Sequence, residues 1–454
     1  LKRSALLFIT IGLAGLSILT LAIRKGGPPP HSIIIIDIDT LRADHLGHYG
    51  YRRDTSPSFD ALAAESTSFS WAFAQSPWTV PSQASILTGM YPTRHGFVSA
   101  ETAISDSVVT LAESLREADF KTAAFVDGGY MAEGFGFERG FEIYNDEAGG
   151  LAAIGPRVDQ WLDANANGDE SFLLLIHSYD VHTPYDSTPE PFRSMYVDEN
   201  ALPSEQFRNT FGLELLRVWE GRFADDPQQM GDAEINYIEA LYDGGIRYMD
   251  TWLGEFIADL KDRGLYDKTL LVFLSDHGEE FLDHKGVMHD KIYVPVTRIP
   301  LLLKLPDQHE GISIDAVVES IDVLPTVLDV VGLDAPPDID GTSLLPIVHG
   351  RARASEQIAI SESLFYGRRI GVATHSYHLL TSLIGDRTQL FEYRVDPLEQ
   401  RDISAENPEI STRLTNYAKA WNAMVKKGAY EQKDAQEIKQ STIDRLKALG
   451  YLGN

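Results

Sequence analysis

Ser32-Ile33-Ile34-Ile35-Ile36-Asp37-Ile38-Asp39-Thr40 decides the fold. An unbroken β-branched run of this kind suits a strand buried on both faces, in a sheet covered by helices on either side. The run closes on two acids, and a carboxylate at the end of a buried strand is costly unless it binds something. In open α/β sheets ligands sit at that carboxyl edge. A turn acid that caps the next helix is the plain alternative, and it is stronger for Asp37 than for Asp39.

The same construction returns twice. Ser171 to Ile176 is an apolar strand that ends in His177-Ser178-Tyr179-Asp180-Val181-His182-Thr183-Pro184-Tyr185. Thr269 to Leu274 ends in Ser275-Asp276-His277-Gly278-Glu279-Glu280, with His284 and His289 in the loop that follows. Six of the thirteen histidines lie between His95 and His289. Capping acids and satisfied histidines explain one such strand end but not three. A carboxylate beside an imidazole suits a hard or borderline divalent cation.

Around these strands the pattern predicts further strands over Lys121–Val126 and Pro300–Leu305. It predicts helices over Ser56–Thr67, Ser107–Ala118, Ala233–Arg263 and Asp322–Val331. Gly244-Gly245 is a candidate kink in the long helix. Gly134 to Phe141 is a weak phosphate-loop signal and reads as a structural loop; residues 190–229 are polar and have no assigned role. The expected fold class is α/β, with a large, mostly parallel central sheet flanked by helices. After Asp340 come short strands near Gln357–Ser361, Arg369–Ala373, Tyr377–Thr381 and Gln389–Tyr393, then a polar helix. The predicted division is residues 1–31 as anchor and linker, 32–345 as catalytic domain, and 346–454 as a small α+β subdomain.

The 454 residues carry a formal net charge of −28, which argues against a nucleic-acid surface, since that would need a basic stripe. Cysteine is absent, which removes disulfides, thiolate metal sites and cysteine nucleophiles together. Ala5 to Ile23 is uncharged over nineteen residues and flanked by Lys2-Arg3 and Arg24-Lys25, ahead of Gly26-Gly27-Pro28-Pro29-Pro30. No small-x-small cleavage site follows it, so the expectation is an uncleaved N-terminal transmembrane helix. The catalytic domain is then expected to be membrane-anchored on the periplasmic or extracellular side. Nothing in the sequence sets an oligomeric state.

Ser76-Pro77-Trp78-Thr79-Val80-Pro81-Ser82-Gln83-Ala84-Ser85-Ile86-Leu87-Thr88-Gly89 reads as a loop feeding a short helix. Pro81 suits its first turn and Gly89 its C-terminal cap. Thr79 would lie at the positive end, where anions are favoured. Taken alone it reads as a plain N-cap; facing three acid- and histidine-bearing strand ends, it reads as a nucleophile.

Taken in order, Ile38-Asp39-Thr40-Leu41-Arg42-Ala43-Asp44, Thr79 to Gly96, His177 to Tyr185, Ser275 to Glu280, Asp340-Gly341-Thr342-Ser343-Leu344 and Phe391 to Pro397 are landmarks of one family. From about Ser32 to Asp402 the chain resembles sulfatase-like hydrolases and transferases of the alkaline phosphatase superfamily. The resemblance implies one catalytic divalent ion, with Mn²⁺, Zn²⁺, Mg²⁺ and Ca²⁺ as candidates. It implies Asp39, Asp276 and His277 as ligands, with Thr79 as nucleophile and fourth ligand. His182 and His289 would face the ester's non-bridging oxygens as donors, Gln83 would border the substrate, and His177 and Asp180 would either border it too or only orient the loop.

Two departures direct the chemistry. The family signature begins with Cys or Ser, which is oxidised to formylglycine, and has Arg four positions later; here those positions are Thr79 and Gln83. Formylglycine is therefore not expected. A sulfated threonine cannot collapse to an aldehyde, whereas a phosphorylated threonine is relieved by in-line attack on phosphorus. The expected function is cleavage of a phosphoric mono- or diester, an anionic lipid head group or glycan substituent, as in threonine-using phosphotransferases and phosphodiesterases. A sulfatase without formylglycine, and a catalytically silent membrane-tethered binding protein, are the alternatives.

Overall fold

The computed structural model describes residues 32–99, 102–166, 170–185, 187–221, 230–352, 357–364, 368–385, 387–430 and 433–434. A central sheet is built from β1 (Ser32–Ile38), β2 (Thr67–Phe73), β3 (Lys121–Val126), β4 (Ile143–Asn145), β5 (Phe172–Ser178), β6 (Thr269–Leu274), β7 (Arg298–Ile299), β8 (Leu301–Lys304) and β9 (Ile312–Glu319). Their order is β7-β2-β8-β6-β1-β5-β3-β4, with β9 also paired to β2. The pairs flanking β1 are parallel, whereas β8 runs antiparallel to both β6 and β2.

β1 is the axis of the sheet, and every one of its residues is buried. Alternate side chains of a strand point to opposite faces, and here each face meets its own core. Ile33 and Ile35 pack with Val80, Ala84 and Leu87 of helix α2 (Thr79–Thr88). Ile34, Ile36 and Ile38 pack with Leu241, Ile246, Met249 and Leu253 of the long helix α4 (Asp232–Asp262). Because the parallel register pairs Asp37 with His177 and with Leu274, all three strands end at one level. Asp39 is tied in just beyond, its N–H donating to the Ser178 carbonyl at 3.0 Å.

α4 runs without interruption through Gly244-Gly245, the candidate kink. A Cβ on Gly244 would lie 2.4 Å from the Phe192 carbonyl oxygen, and one on Gly245 would lie 3.0 Å from that of Asp180. The glycine pair therefore lets the loop after β5 lie directly on the helix. A second sheet of four antiparallel strands, β10 (Ala359–Ser363), β11 (Arg369–Ala373), β12 (His378–Ser382) and β13 (Thr388–Phe391), follows in sequence. Helix α6 (Pro408–Lys427) covers it with Leu414, Ala418, Trp421 and Val425.

The expected membrane anchor requires correction. Among the described residues no helix is long and apolar enough to cross a membrane. The longest, α4, spans 31 residues but carries Asp232, Glu234, Glu239, Asp243, Asp250, Glu255 and Asp259. Ala5–Ile23 lies outside the described residues. The N-terminal transmembrane helix in the expected fold, and the membrane-anchored location derived from it, are therefore without support.

Candidate active site

α2 begins where the three strands end. Its N-cap is Trp78, in extended conformation, so Thr79 is the first helical residue. A capping threonine accepts from backbone N–H groups; Thr79 instead donates its hydroxyl to Asp39 Oδ2 at 3.1 Å. One turn on, Ser82 donates to the Asp276 carbonyl at 2.6 Å and joins the helix to the loop after β6. Gly89 closes the helix at φ +67.

Asp39, Asp276 and His277 are buried and offer ligand atoms that all lie within 4.8 Å of one another. His277 Nε2 is 3.4 Å from Asp276 Oδ2 and 3.9 Å from Asp39 Oδ1. Asp39 Oδ1, Asp276 Oδ2 and His277 Nε2 are buried without a hydrogen-bond partner, an arrangement that is expensive unless a further group completes it. His277 Nδ1 lies 2.9 Å from the Gly278 carbonyl, and donation there turns the Nε2 lone pair toward the carboxylates. Burial holds both carboxyls above their ordinary range, and at Asp276 the neighbouring Asp39 adds to the rise. Two carboxylates and an imidazole with their lone pairs converging fit a divalent cation, which removes that conflict.

Two more histidines border the set. His182 Nδ1 lies 2.5 Å from the Thr183 carbonyl, and its Nε2 is 4.0 Å from Asp39 Oδ1. The His289 ring centroid lies 4.5 Å from that of His277 and 5.2 Å from that of His182. The two differ electrically. Burial, then the proximity of His289, pushes His182 down to about 4. Burial works in the same direction on His289, but the Glu279 carboxylate, together with Asp39 and Asp276, overrides it and raises that imidazole.

Gln83 and Asp180 are engaged elsewhere, whereas His177 borders Asp39. Gln83 donates its amide to Asp37 Oδ2 at 2.7 Å, and both are buried behind the carboxylates. His177 sits beside them with Nε2 3.6 Å from Asp39 Oδ2. Asp180 accepts from Ser178 Oγ at 2.5 Å and from the Leu151 N–H at 2.6 Å, at the start of helix α3 (Gly150–Asn165). The structure thus brings Asp39, Thr79, His177, His182, Asp276, His277 and His289 together, pairs Gln83 with Asp37, and uses Asp180 to hold a helix. The sequence assigned no role to Glu279 and left Asp37 open between binding at the strand end and capping the next helix. The position of Glu279 immediately after Asp276-His277-Gly278 was its only signal.

Known proteins resemble this chain in sequence and in fold. The sulfatase family profile matches residues 31–333, and the profile of the N-sulphoglucosamine sulphohydrolase C-terminal region matches residues 282–424. An ulvan-active sulfatase of Formosa agariphila is 23% identical over 431 residues, covering 86% of this chain and 80% of the relative. A phosphonate monoester hydrolase from Silicibacter pomeroyi superposes with a TM-score of 0.68 at 22% identity, over 87% of this chain and 95% of the other. A protein solved in complex with its substrate D-glucosamine-2-N,6-O-disulfate superposes with a TM-score of 0.67 at 19% identity, over 87% and 98%. At these identities the structural likeness is one of fold.

Proposed function

This chain belongs to the sulfatase family, and on that premise we propose that it cleaves phosphoric esters through a covalent intermediate on Thr79. That it is a sulfatase-superfamily hydrolase, in a family whose members use a divalent metal ion, follows from the family itself. The observation carrying the finer reading is the Thr79 hydroxyl against Asp39 at 3.1 Å, in a chain without cysteine. With threonine there, formylglycine has no precursor, and a sulfated threonine has no route of release by collapse.

Asp39, Asp276, His277 and the Thr79 hydroxyl would hold the ion. When bound, such an ion supplies a counter-charge and Lewis acidity that favour an ionised nucleophile. Thr79 Oγ1 gives up its proton toward Asp39 Oδ2, the oxygen that already accepts its hydrogen bond. It then attacks phosphorus in line and the bond to the leaving oxygen breaks, which leaves a phosphate ester on Thr79 (with the second alcohol still attached where the substrate is a diester), so that one hard step becomes two easier ones. An imidazole, His182 or His289, delivers a proton to the leaving oxygen. Water or an acceptor hydroxyl then takes the phosphoryl group and gives its proton to the imidazole, while Asp39 Oδ2 returns its proton to the freed Thr79 oxygen.

The charge of the site favours a singly charged ester. Among the described residues no lysine or arginine forms an ion pair with Asp37, Asp39, Asp276 or Glu279; their only basic partners are histidines. Gln83 is neutral where the family signature has arginine, which removes a bidentate anion contact. A diester, or an ester carrying a single negative charge on a glycan, suits this environment better than a dianion. The disulfated glucosamine complex of the solved relative supports a glycan as carrier. The sulfatase names among the relatives favour one second reading, a sulfuric ester cleaved without formylglycine.

Intact-mass spectrometry after rapid quenching with bis-(p-nitrophenyl) phosphate tests the proposal. The expected result is a p-nitrophenyl phosphoryl adduct mapping to Thr79 and lost, together with turnover, in Thr79→Ala. Undiminished turnover by Thr79→Ala would remove threonine from the mechanism.

A further inference from the structure

Residues 190–229 enter no step of the reaction, yet part of this stretch closes a pocket. Tyr196, Val197 and Asp198 meet Arg53 and, from the start of α4, Asn236 and Tyr237 around a cavity of about 240 Å³. Its guanidinium is held from behind. Arg53 Nη1 donates to Asp243 Oδ2 at 2.6 Å, and Asp243 is 0% exposed. That carboxylate is fixed in turn by the Tyr51 hydroxyl at 2.7 Å and by His45, whose Nδ1 lies 2.7 Å from Oδ1. Among the described residues Nε and Nη2 of Arg53 have no hydrogen-bond partner, so two donors in a rigid plane are left over. The Asn236 amide, on the exposed side of α4, likewise makes no hydrogen bond among them. Asp198 Oδ1 accepts the N–H and the side-chain amide of Asn200 at 2.9 and 3.3 Å, which leaves Oδ2 as an acceptor. Both rings are anchored as well. The Tyr196 hydroxyl donates to the Asp54 carbonyl at 2.5 Å, and Tyr237 packs edge-on to Phe211 with ring centroids 6.2 Å apart.

We propose that this pocket is a subsite for a neutral sugar ring of a glycan substrate, remote from the ester that is cleaved. The inference rests on the reading of the substrate as an ester on a glycan, and adds where that carrier is held. A sugar ring carries hydroxyls, each both donor and acceptor, around apolar C–H faces. Guanidinium and amide donors beside a carboxylate acceptor meet the hydroxyls, and tyrosine rings cover a C–H face. Asp198 repels an anionic group here, which leaves the negative charge to the reacting ester. The pocket also lies on the catalytic side of the sheet. The Tyr242 hydroxyl donates to the Thr40 carbonyl at 2.7 Å, so α4 passes the end of β1 at Tyr242. From there α4 runs toward Asp262 and the start of β6 at Thr269, the opposite edge of the sheet. Tyr237 precedes Tyr242 by five residues, about 8 Å along the helix axis, and so stands beyond the strand ends. A short oligosaccharide can span from Thr79 to this rim.

The test is binding of the full chain to an array of oligosaccharides ending in glucose, galactose, mannose, N-acetylglucosamine or a uronic acid. The expected result is binding to members that end in a neutral sugar, weakened at least about tenfold in Arg53→Ala and in Asn236→Ala. Arg53→Ala takes one partner from the buried Asp243, so Asn236→Ala, at an exposed helix position, decides the matter if the first variant does not fold. Binding that survives both substitutions, binding confined to uronic-acid members, or no binding at all overturns the proposal. Failure of the underlying phosphoryl-transfer reading looks different, because Thr79→Ala would then turn over bis-(p-nitrophenyl) phosphate undiminished whatever the array shows.

Discussion

Thr79 differs from an ordinary helix-start threonine in the direction of its hydroxyl, which leaves the backbone alone and donates to a carboxylate. That direction follows from residues far away in sequence. Asp39 is placed by β1, and Asp276 and His277 by β6. At this scale the sequence was informative about residue type but not about partners. Aspartate and histidine after three buried strands were legible because the strands themselves were. The bond from Glu279 to Tyr185 bridges a separation of 94 residues and leaves no local trace. Asp180 had the right type and the right strand end, yet its carboxylate turns away to hold the start of α3. Another histidine yields a pH prediction. His95 is buried, with Nε2 3.2 Å from Ser85 Oγ, and burial depresses it to about 3. Its unfolded form takes up a proton near pH 6.5, and between those values the unfolded chain binds the proton and the folded one does not. Stability must then fall as pH drops from about 6.5 toward 3, by up to about 1.4 kcal/mol per unit from this residue. Denaturant melts at several pH values should show a shallower acid-side slope for His95→Asn; an identical slope would mean that His95 contributes nothing to it.

Among the elements, the long apolar ones were legible and the supported ones were not. β1 and β6 are uniform apolar runs, and α4 presents one broad apolar face over 31 residues. β2 and β9 escaped notice for different reasons: β2 is buried almost throughout but interleaves Thr67, Ser68 and Ser70 with its apolar residues, whereas half of β9, from Ile312 to Asp315, is exposed or only partly buried, and only Ala316 to Glu319 is covered. Helix α3 contains Pro156 and begins after a glycine pair, so its sequence alone does not specify a helix. What secures it comes from outside. Asp127 Oδ1 accepts the N–H groups of Gly149 and Gly150 at 2.8 and 3.0 Å, and Asp180 accepts that of Leu151. The contact between α4 and the His182 loop gives the prediction at this scale. Gly244→Ala places a methyl group 2.4 Å from the Phe192 carbonyl oxygen, so loop and helix must separate. The expected cost is ~1–3 kcal/mol in a denaturation curve, together with lower activity from the displaced loop. Unchanged stability would show that the loop yields freely.

For the whole molecule, the proposed cation set would work as a clasp. Asp39 follows β1 and Asp276 and His277 follow β6, and with Thr79 of α2 as the proposed fourth ligand, an ion bound there would link three separate parts of the chain. The second sheet is joined to the same body through Glu319 of β9, which accepts the Tyr91 hydroxyl at 3.0 Å and the Ile360 N–H at 2.8 Å. We propose that residues 346–454 form a subdomain that unfolds together with the catalytic part. Because a ligand of the native state alone stabilises it by mass action, removing the ion with a chelator should lower the melting temperature of one shared transition. Restoring a divalent ion should reverse the shift, and Asp276→Asn should abolish the response. A chelator-insensitive melting temperature in the wild-type chain would argue against an ion at this site. The substrate question bears on everything above, and it is tested most directly by steady-state turnover of bis-(p-nitrophenyl) phosphate and p-nitrophenyl sulfate by one metal-loaded preparation. The account predicts turnover of the phosphate diester that depends on Thr79, with no turnover of the sulfate; turnover of the sulfate alone would contradict it.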